Sequence, residues 1–538
     1  MQNYQKILLA IIATIAIVIG GIHIYLDFFL EEQLQETGVK KIHAATDNAY
    51  NIEVGDLDLH IFSRRLSIST IRITKKGNSQ TKDLHLTLDE FNISGINLTN
   101  FLFRNKLTTQ KVNIVNPKVY LSTNRKNSSS KKIGWRELSG SVSETALKVL
   151  DSIFISEFNI KGLSINNTRT DASAEPNFSI SNSDITLSNI SIDSTSLTDN
   201  RIIPAENIEA TAQNMRWQTP TKLYDISAKQ FQFSSSDSIL EANNFSVLPK
   251  FKKGAFSKQV GHEIDRINLG IQQIKGVQID VDQVNNGEGI SAGLISIENA
   301  DLDIYRDKRR SDPAKSNKPL PQEMIHGIPF PVSFDSIRIS KSNIRYSERV
   351  QNADKAGYIE FANLSAGFSH LTNIESRWKT NPPTLIAETK VMNKARLNVQ
   401  FKFFTADKGN RQEIKGTLQP MDMKPLNNIL QPIAFVQIDR GKILGLDFDM
   451  NLSENHAGGT LTLQYKDLKV SLLDDEGAGE NLGDKARSFL ANTFKIKSEN
   501  KGEKPRVSQV DFKRVKHKSV FNYWWKSLLS GLKENIGL

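Results

Sequence analysis

The chain of 538 residues contains no cysteine, which excludes disulfide bonds, thiolate metal ligands and a cysteine nucleophile. Its nine histidines form neither an HExxH motif nor another paired metal-ligand spacing. The sequence also lacks the GxGxxG and GxxxxGK[ST] phosphate-binding loops and the GxSxG nucleophile turn. We therefore expect a protein that is not an enzyme and that has no catalytic residue, no metal and no cofactor site.

Long hydrophobic runs are also scarce, with one exception near the start of the chain. From Ile7 to Leu26 almost every residue is apolar, and about 20 such residues cross the hydrocarbon core of a bilayer as a helix. No small-x-small cleavage site follows, which indicates an uncleaved signal anchor. Lys6 precedes the run and Asp27 and Glu31 follow it, so the positive-inside rule predicts a cytoplasmic N-terminus with the bulk of the chain across the membrane.

Beyond the anchor, apolar residues recur at every second position through most of the chain. Such alternation is typical of strands with one apolar and one polar face. Short segments with Asn, Ser or Gly interrupt it, as in Ile297–Tyr305 and Ile337–Tyr346, and we interpret them as tight turns between strands. The pattern predicts a mainly β fold, an elongated and curled antiparallel sheet of imperfect repeats with a few helices.

A basic stretch between Lys501 and Lys518 precedes an amphipathic segment at the end of the chain. We expect a helix there, with its apolar residues on one face and Lys533 opposite. Aromatic residues beside basic ones suit a membrane interface or a groove on a partner protein, whereas a helix that caps the open end of the sheet explains the pattern equally well. The residues assigned to a membrane or partner contact are Phe521, Trp524, Trp525, Leu528 and Lys526.

These features divide the chain into seven segments. They are a cytoplasmic N-terminus (1–6), a transmembrane signal anchor (7–26), a helical stalk (27–50), a first β region (51–305), a proline-rich basic linker (306–331), a second β region (332–486), and a basic segment with the C-terminal helix (487–538).

Several phrases occur in an order that resembles the AsmA-like superfamily of Gram-negative envelope proteins, in its domain-of-unknown-function branch. They follow the anchor and stalk, and they are Asn51–Leu59, Val115–Leu121, Ser336–Arg349, Gly357–Leu364, Gly416–Met423, Gly458–Leu468 and the terminal FNYWWKSLLSG. The resemblance implies a protein anchored in the inner membrane with its bulk in the periplasm. It also implies a repeating β-groove, similar to that of bridge-like lipid transfer proteins.

The functional expectation is a groove that shields and conducts phospholipid between inner and outer membrane and so supports outer-membrane integrity. Its expected partners are acyl-chain lipid, the inner membrane and an outer-membrane or periplasmic protein, but no nucleic acid. The alternative is a non-enzymatic scaffold that helps outer-membrane proteins assemble through exposed strand edges. Residues expected to line the groove are Ile52, Val54, Leu59, Ile68, Leu86, Ile155, Ile297, Ile337, Ile339, Val399, Phe401, Leu461 and Leu463.

Overall fold

The structure of the chain is a computed structural model. The structure describes residues 50–60, 63–75, 84–123, 147, 150–169, 177–197, 201–311, 317–351, 353–405, 409–473 and 496–538. The predicted anchor (7–26) and all of the predicted stalk except Tyr50 lie outside these residues. Among the described helices, none combines the length and the apolar character needed to cross a bilayer.

The protein is mainly β, as predicted: 59% of the described residues are in strands and 16% in helices, and the 22 described strands belong to one mixed sheet. The strands are β1 (Tyr50–Val54), β2 (Leu57–His60), β3 (Arg65–Lys75), β4 (Leu84–Ser94), β5 (Lys106–Val115), β6 (Lys118–Thr123), β7 (Ser152–Arg169), β8 (Phe178–Ile192), β9 (Asn207–Gln218), β10 (Tyr224–Ser234), β11 (Ile239–Pro249), β12 (Asp265–Ile279), β13 (Ile290–Asp307), β14 (Val332–Arg349), β15 (Gly357–Thr372), β16 (Thr384–Val391), β17 (Ala395–Phe403), β18 (Gln412–Leu418), β19 (Met421–Asp422), β20 (Val436–Leu452), β21 (His456–Leu472) and β22 (Ser508–Lys513).

The described helices are short, apart from the last. They are α1 (Leu98–Arg104), α2 (Lys253–Val260), α3 (Val281–Asn285), α4 (Pro321–His326), α5 (Glu375–Thr380), α6 (Asn427–Ala434) and α7 (Val520–Ile536), with 3₁₀ turns at Ser194–Leu197 and Lys424–Leu426. The predicted C-terminal helix is thus confirmed as α7. It begins at an N-cap serine, Ser519, whose hydroxyl accepts a hydrogen bond from the backbone N–H of Asn522, and it ends at Gly537 in the left-handed conformation.

The described residues form two compact units. Unit 1 comprises the described residues up to Asn244 together with Val277–Gly289, and unit 2 comprises Phe245–Gly276 and Ile290–Leu538. Each unit has its own core of buried aliphatic and aromatic side chains. The core of unit 1 lies mainly on β3 to β7, and that of unit 2 mainly on β18 to β22 with α7.

Most neighbouring strands are antiparallel, as predicted, but three pairs are parallel. In unit 1, β5 and β6 both run parallel to β7, and in unit 2, β13 runs parallel to β14. Parallel neighbours cannot be joined by a tight turn and need a crossover of a dozen or more residues. The sequence becomes polar and basic after Thr123 and after Asp307, and these two segments lie between the parallel strands. The prediction of a purely antiparallel sheet is therefore wrong at these points.

The predicted tight turns at Ile297–Tyr305 and Ile337–Tyr346 are instead β-bulges inside long strands. Both segments lie within continuous strands of 18 residues, β13 and β14. Asn299 and Lys341 have φ of 51°, and the register between β14 and β15 shifts just after Ile339. The same residue types suit turns and bulges because both need a left-handed backbone.

Bulges also line up across neighbouring strands of unit 1. Gly162 in β7, Asn182 in β8 and Asn214 in β9 all have positive φ, between 50° and 70°. The backbone N–H of Gly162 donates to Asp184 Oδ1 of the next strand at 2.8 Å. Each bulge bends its strand and increases the local twist, so an aligned series bends the sheet across several strands.

The bulge at Lys341 provides a test of this interpretation. We expect Lys341→Val to lower the free energy of unfolding by about 1–2 kcal/mol, because a β-branched residue is strained at φ of 51°. Lys341→Asn should be close to neutral, since asparagine tolerates the left-handed region. Arg338→Val, at an exposed position three residues earlier in the same strand, is the control and should change little. Equal stability of the two valine variants in denaturant unfolding would contradict the bulge.

Candidate functional site

The apolar face of unit 2 is continuous across eight strands, β13 to β18 followed by β20 and β21. Residues paired directly across neighbouring strands lie on the same face of a sheet. One such row consists of Ile297, Ile339, Ala366, Ala387, Val399, Gly416, Phe448 and Leu461. The next row, two residues along each strand, consists of Ile295, Ile337, Phe368, Leu385, Phe401, Ile414 and Met450.

Gly416 does not interrupt the first row, because the ring of Phe448 occupies the space beside it. A Cβ atom at Gly416 would lie 2.3 Å from Cζ of Phe448, so only glycine fits there without displacing the ring. The apolar surface therefore continues across β18 by means of a neighbouring side chain.

Unit 1 has the same arrangement. One row runs across β2, β3, β4, β5, β7, β8, β9 and β10, and consists of Leu57, Ile68, Phe91, Ile114, Ile160, Ile185, Ala210 and Phe233. A second row consists of Ile52, Ile73, Leu86, Val119, Ile165 and Ile180. Each unit thus presents one face on which apolar side chains form rows across the strands.

The exposure of these rows changes along each unit. In unit 1, Phe91 and Ile114 are at most 2% exposed, whereas Ile185 and Phe233, further along the same row, are only partly buried. In unit 2, Ile339 is partly buried, while Leu461 in the same row is fully buried beneath α7. Strands β8 to β10 of unit 1 and β13 to β17 of unit 2 therefore carry apolar surface that the described residues cover only in part.

The predicted lining residues fall into two groups by burial. Those in the cores are Ile52, Ile68, Leu86, Ile155, Leu461 and Leu463, all at most 6% exposed. Those that keep partly exposed side chains are Val54, Ile297, Ile337, Ile339, Val399 and Phe401. The side chain of Leu59 lies outside the described residues. Only the second group offers surface to a ligand without unfolding of the protein.

The apolar residues of α7 do not share one face, contrary to the sequence-based expectation. Its buried stripe contains Tyr523, Ser527, Gly531 and Asn535, with Trp524, Leu528, Leu532 and Ile536 packed beside it on the core. Phe521 and Trp525 lie nearly opposite this stripe and are 64% and 41% exposed, and Lys526 is also exposed. The expectation was wrong because the small and polar residues of the buried stripe, such as Gly531, allow the helix to approach the sheet closely on that side.

Polar contacts fix the buried side of α7. Trp524 Nε1 donates to Gln412 Oε1 at 2.8 Å, and its ring lies 4.8 Å from that of Phe401. The hydroxyl of Tyr523 donates to the carbonyl of Ser453 at 3.1 Å, and burial raises the pKa of this phenol. Satisfied buried polar groups hold one geometry. These contacts favour the capping role for this side of α7.

α7 also covers the free edge of β22, the last strand of unit 2. The backbone N–H of Gln509 donates to Glu534 Oε2 at 2.8 Å, and that of Asp511 donates to Ser530 Oγ at 3.2 Å. An open strand edge presents unpaired donors to which another chain can add a strand. At β22 two of those donors are already used by side chains of α7.

Charged groups gather at the ends of β12, β13 and β14 in unit 2. Arg306, which the sequence analysis assigned to the linker, belongs to β13 and donates to both carboxylate oxygens of Asp265 at 2.7 and 2.6 Å. The hydroxyl of Tyr346 donates to Glu348 Oε2 at 2.7 Å, and burial together with the Glu348 carboxylate raises the pKa of Tyr346. Lys308 pairs with Glu348 at 2.7 Å. This network ties the strand ends together and borders the apolar rows with charge.

Within the described ranges, no three histidine, aspartate or glutamate side chains converge in a way that could hold a metal ion. No model of a known protein family matches the chain, and no curated protein matches it either. The candidate site is therefore the apolar face itself.

Proposed function

We propose that this protein is an AsmA-like envelope protein that shields and conducts phospholipid between the inner and outer membranes. One observation carries the proposal: apolar rows continue from strand to strand and remain partly exposed on β8 to β10 and on β13 to β17. Contiguous apolar surface that a folded protein leaves exposed is typical of an interaction site.

An acyl chain is the ligand that suits such rows. Burial of each methylene contributes about 0.8 kcal/mol, and the contact needs no fixed polar partner, so a chain can move from one row position to the next. The opposite face of these strands is polar, as at Arg338 on β14, and remains in water. Aligned bulges would curl the sheet into a groove around the chain.

The predicted signal anchor completes the proposal. A helix at 7–26 would hold the protein in the inner membrane with its bulk in the periplasm, where lipid could enter the groove from the outer leaflet. The protein would then act by binding and transfer alone, without a chemical step, in support of outer-membrane integrity.

The scaffold alternative requires open strand edges. The edge of β22 is not open, because α7 covers it. Two backbone donors of that strand are occupied by Glu534 and Ser530 of α7. Strand addition at this edge would require α7 to leave its place on the core of unit 2.

Mass spectrometry of the full chain purified in mild detergent tests the proposal. We expect phospholipid to co-purify at about one or more molecules per protein after extensive washing. Co-purification of outer-membrane proteins without bound phospholipid would refute lipid transfer and support the scaffold.

A further inference from the structure

A cavity of about 470 Å³, open to solvent, lies in unit 2 where β14, β15 and α5 meet. Its lining includes Ser333 and Asp335 from β14, His370 from β15, and Ser376 and Arg377 from α5. These residues are far apart in the sequence, so no local pattern indicates the cavity.

The register places this cavity beside the apolar rows. β14 and β15 pair without a register shift from Ser333 to Ile339, so Ser333, Asp335 and Ile337 alternate onto the same face. Asp335 is two residues from Ile337, a separation of about 7 Å along a strand. A molecule whose polar end occupied the cavity could therefore lay its apolar part on the row that contains Ile337 and Phe368.

The helix that supplies Arg377 is held rigidly. Trp378, the next residue, is fully buried, and its Nε1 donates to the carbonyl of Phe403 at 3.0 Å. Its ring also stacks on that of His326, with centroids 4.6 Å apart. Arg377 Nη1 donates to Ser333 Oγ at 2.8 Å, which leaves the other donors of the guanidinium available.

The cavity carries charges of both signs. The guanidinium of Arg377 and the hydroxyls of Ser333 and Ser376 suit a phosphate group, for which arginine offers several donors in a fixed plane. Asp335 is exposed, and its carboxylate makes no ion pair with a described residue, so it is free to receive a cation.

We propose that this cavity is a head-group site for a zwitterionic phospholipid, with the lipid phosphate on Arg377 and its primary ammonium on Asp335. The acyl chains then lie on the rows through Ile337 and Ile339. This inference rests on the proposed lipid transfer and adds a selectivity for lipids that carry an ammonium group beside the phosphate.

The test uses delipidated full-length protein in detergent, titrated with dioleoyl phosphatidylethanolamine or dioleoyl phosphatidylglycerol, with bound lipid measured by native mass spectrometry. Loss of one charge-assisted contact corresponds to a change of about tenfold in affinity. We expect Asp335→Asn to weaken phosphatidylethanolamine binding about tenfold and to leave phosphatidylglycerol binding unchanged. Arg377→Ala should weaken the binding of both lipids by about the same factor.

Matched controls remove the same charges elsewhere in unit 2. Arg338→Ala lies on the opposite face of β14, and Asp354→Asn lies in an exposed loop, so both should bind both lipids like the parent. If Asp335→Asn and Arg377→Ala behave like these controls while Ile339→Asp still abolishes binding, the head-group site is wrong and lipid transfer stands. If the parent binds neither lipid, both proposals fail.

Discussion

Ile339→Asp is expected to abolish phospholipid binding, whereas Arg338→Asp, one residue earlier, should leave it at the level of the parent. Ile339 is paired with Ile297 on β13 and Ala366 on β15, in the partly exposed part of the apolar row. A carboxylate there would have to lose its water where an acyl chain crosses β14, at a cost of several kcal/mol. Arg338 is exposed on the other face of the same strand, so an aspartate there remains hydrated.

A substitution at Ile339 can remove lipid binding without unfolding the protein, which a substitution at a fully buried residue of the same row cannot. Leu461 belongs to the same row but is fully buried, and an aspartate there would destabilise the core of unit 2. At Ile339 the side chain already contacts solvent, so we expect only a modest decrease in stability. Bound phospholipid is measured by mass spectrometry of each purified variant, and unfolding is followed in parallel. Parent levels of lipid on a folded Ile339→Asp protein would remove the main support for a conduit.

The strand pattern was readable from sequence because alternation directly reflects a sheet with one apolar face. It placed Ile297, Ile339 and Val399 on that face, and the register confirms that they form one row with Ala366 and Ala387. The sequence could not show which parts of the row are covered. Burial of Leu461 depends on α7, which comes some 60 residues later in the chain.

The sequence predicted turns where the structure has bulges, because both features need residues that tolerate a left-handed backbone. Asn299 adopts a left-handed conformation that would also suit a hairpin, and only the partner strand decides whether the chain reverses. The parallel pairing of β13 with β14 explains why it does not reverse there: the chain continues to Asp307 and returns only through the crossover that contains α4.

The head-group cavity could not be predicted from sequence for a related reason. Asp335 and Arg377 are exposed charged residues, and their neighbours in the sequence form no recognisable motif. Such residues usually face solvent without a specific role. Both line the cavity because β15 returns antiparallel beside β14 and α5 follows it directly. The sequence does indicate how α5 itself is held, because Trp378 is a large aromatic residue in a short polar helix and contributes to stability only when it is buried.

Trp378→Ala should therefore be among the most destabilising single substitutions in unit 2, lowering the free energy of unfolding by about 3–5 kcal/mol. The indole is fully buried, stacks on His326 and donates to the carbonyl of Phe403. Removal of it leaves a cavity and an unpaired carbonyl at the base of α5. Trp378→Phe keeps most of the packing but loses the donor, so we expect a smaller decrease, of about 1–2 kcal/mol.

Trp525→Ala is the matched control, because this tryptophan lies in the same unit and is 41% exposed. We expect it to cost less than about 1 kcal/mol, since surface substitutions rarely cost more. Denaturant unfolding of the full chain, followed by a probe in unit 2, gives the comparison. Equal destabilisation by the two alanine substitutions would show that α5 is not anchored by Trp378. The rigid presentation of Arg377 at the edge of the apolar rows would then lose its physical basis, because only a fixed α5 holds that guanidinium in place for a phosphate.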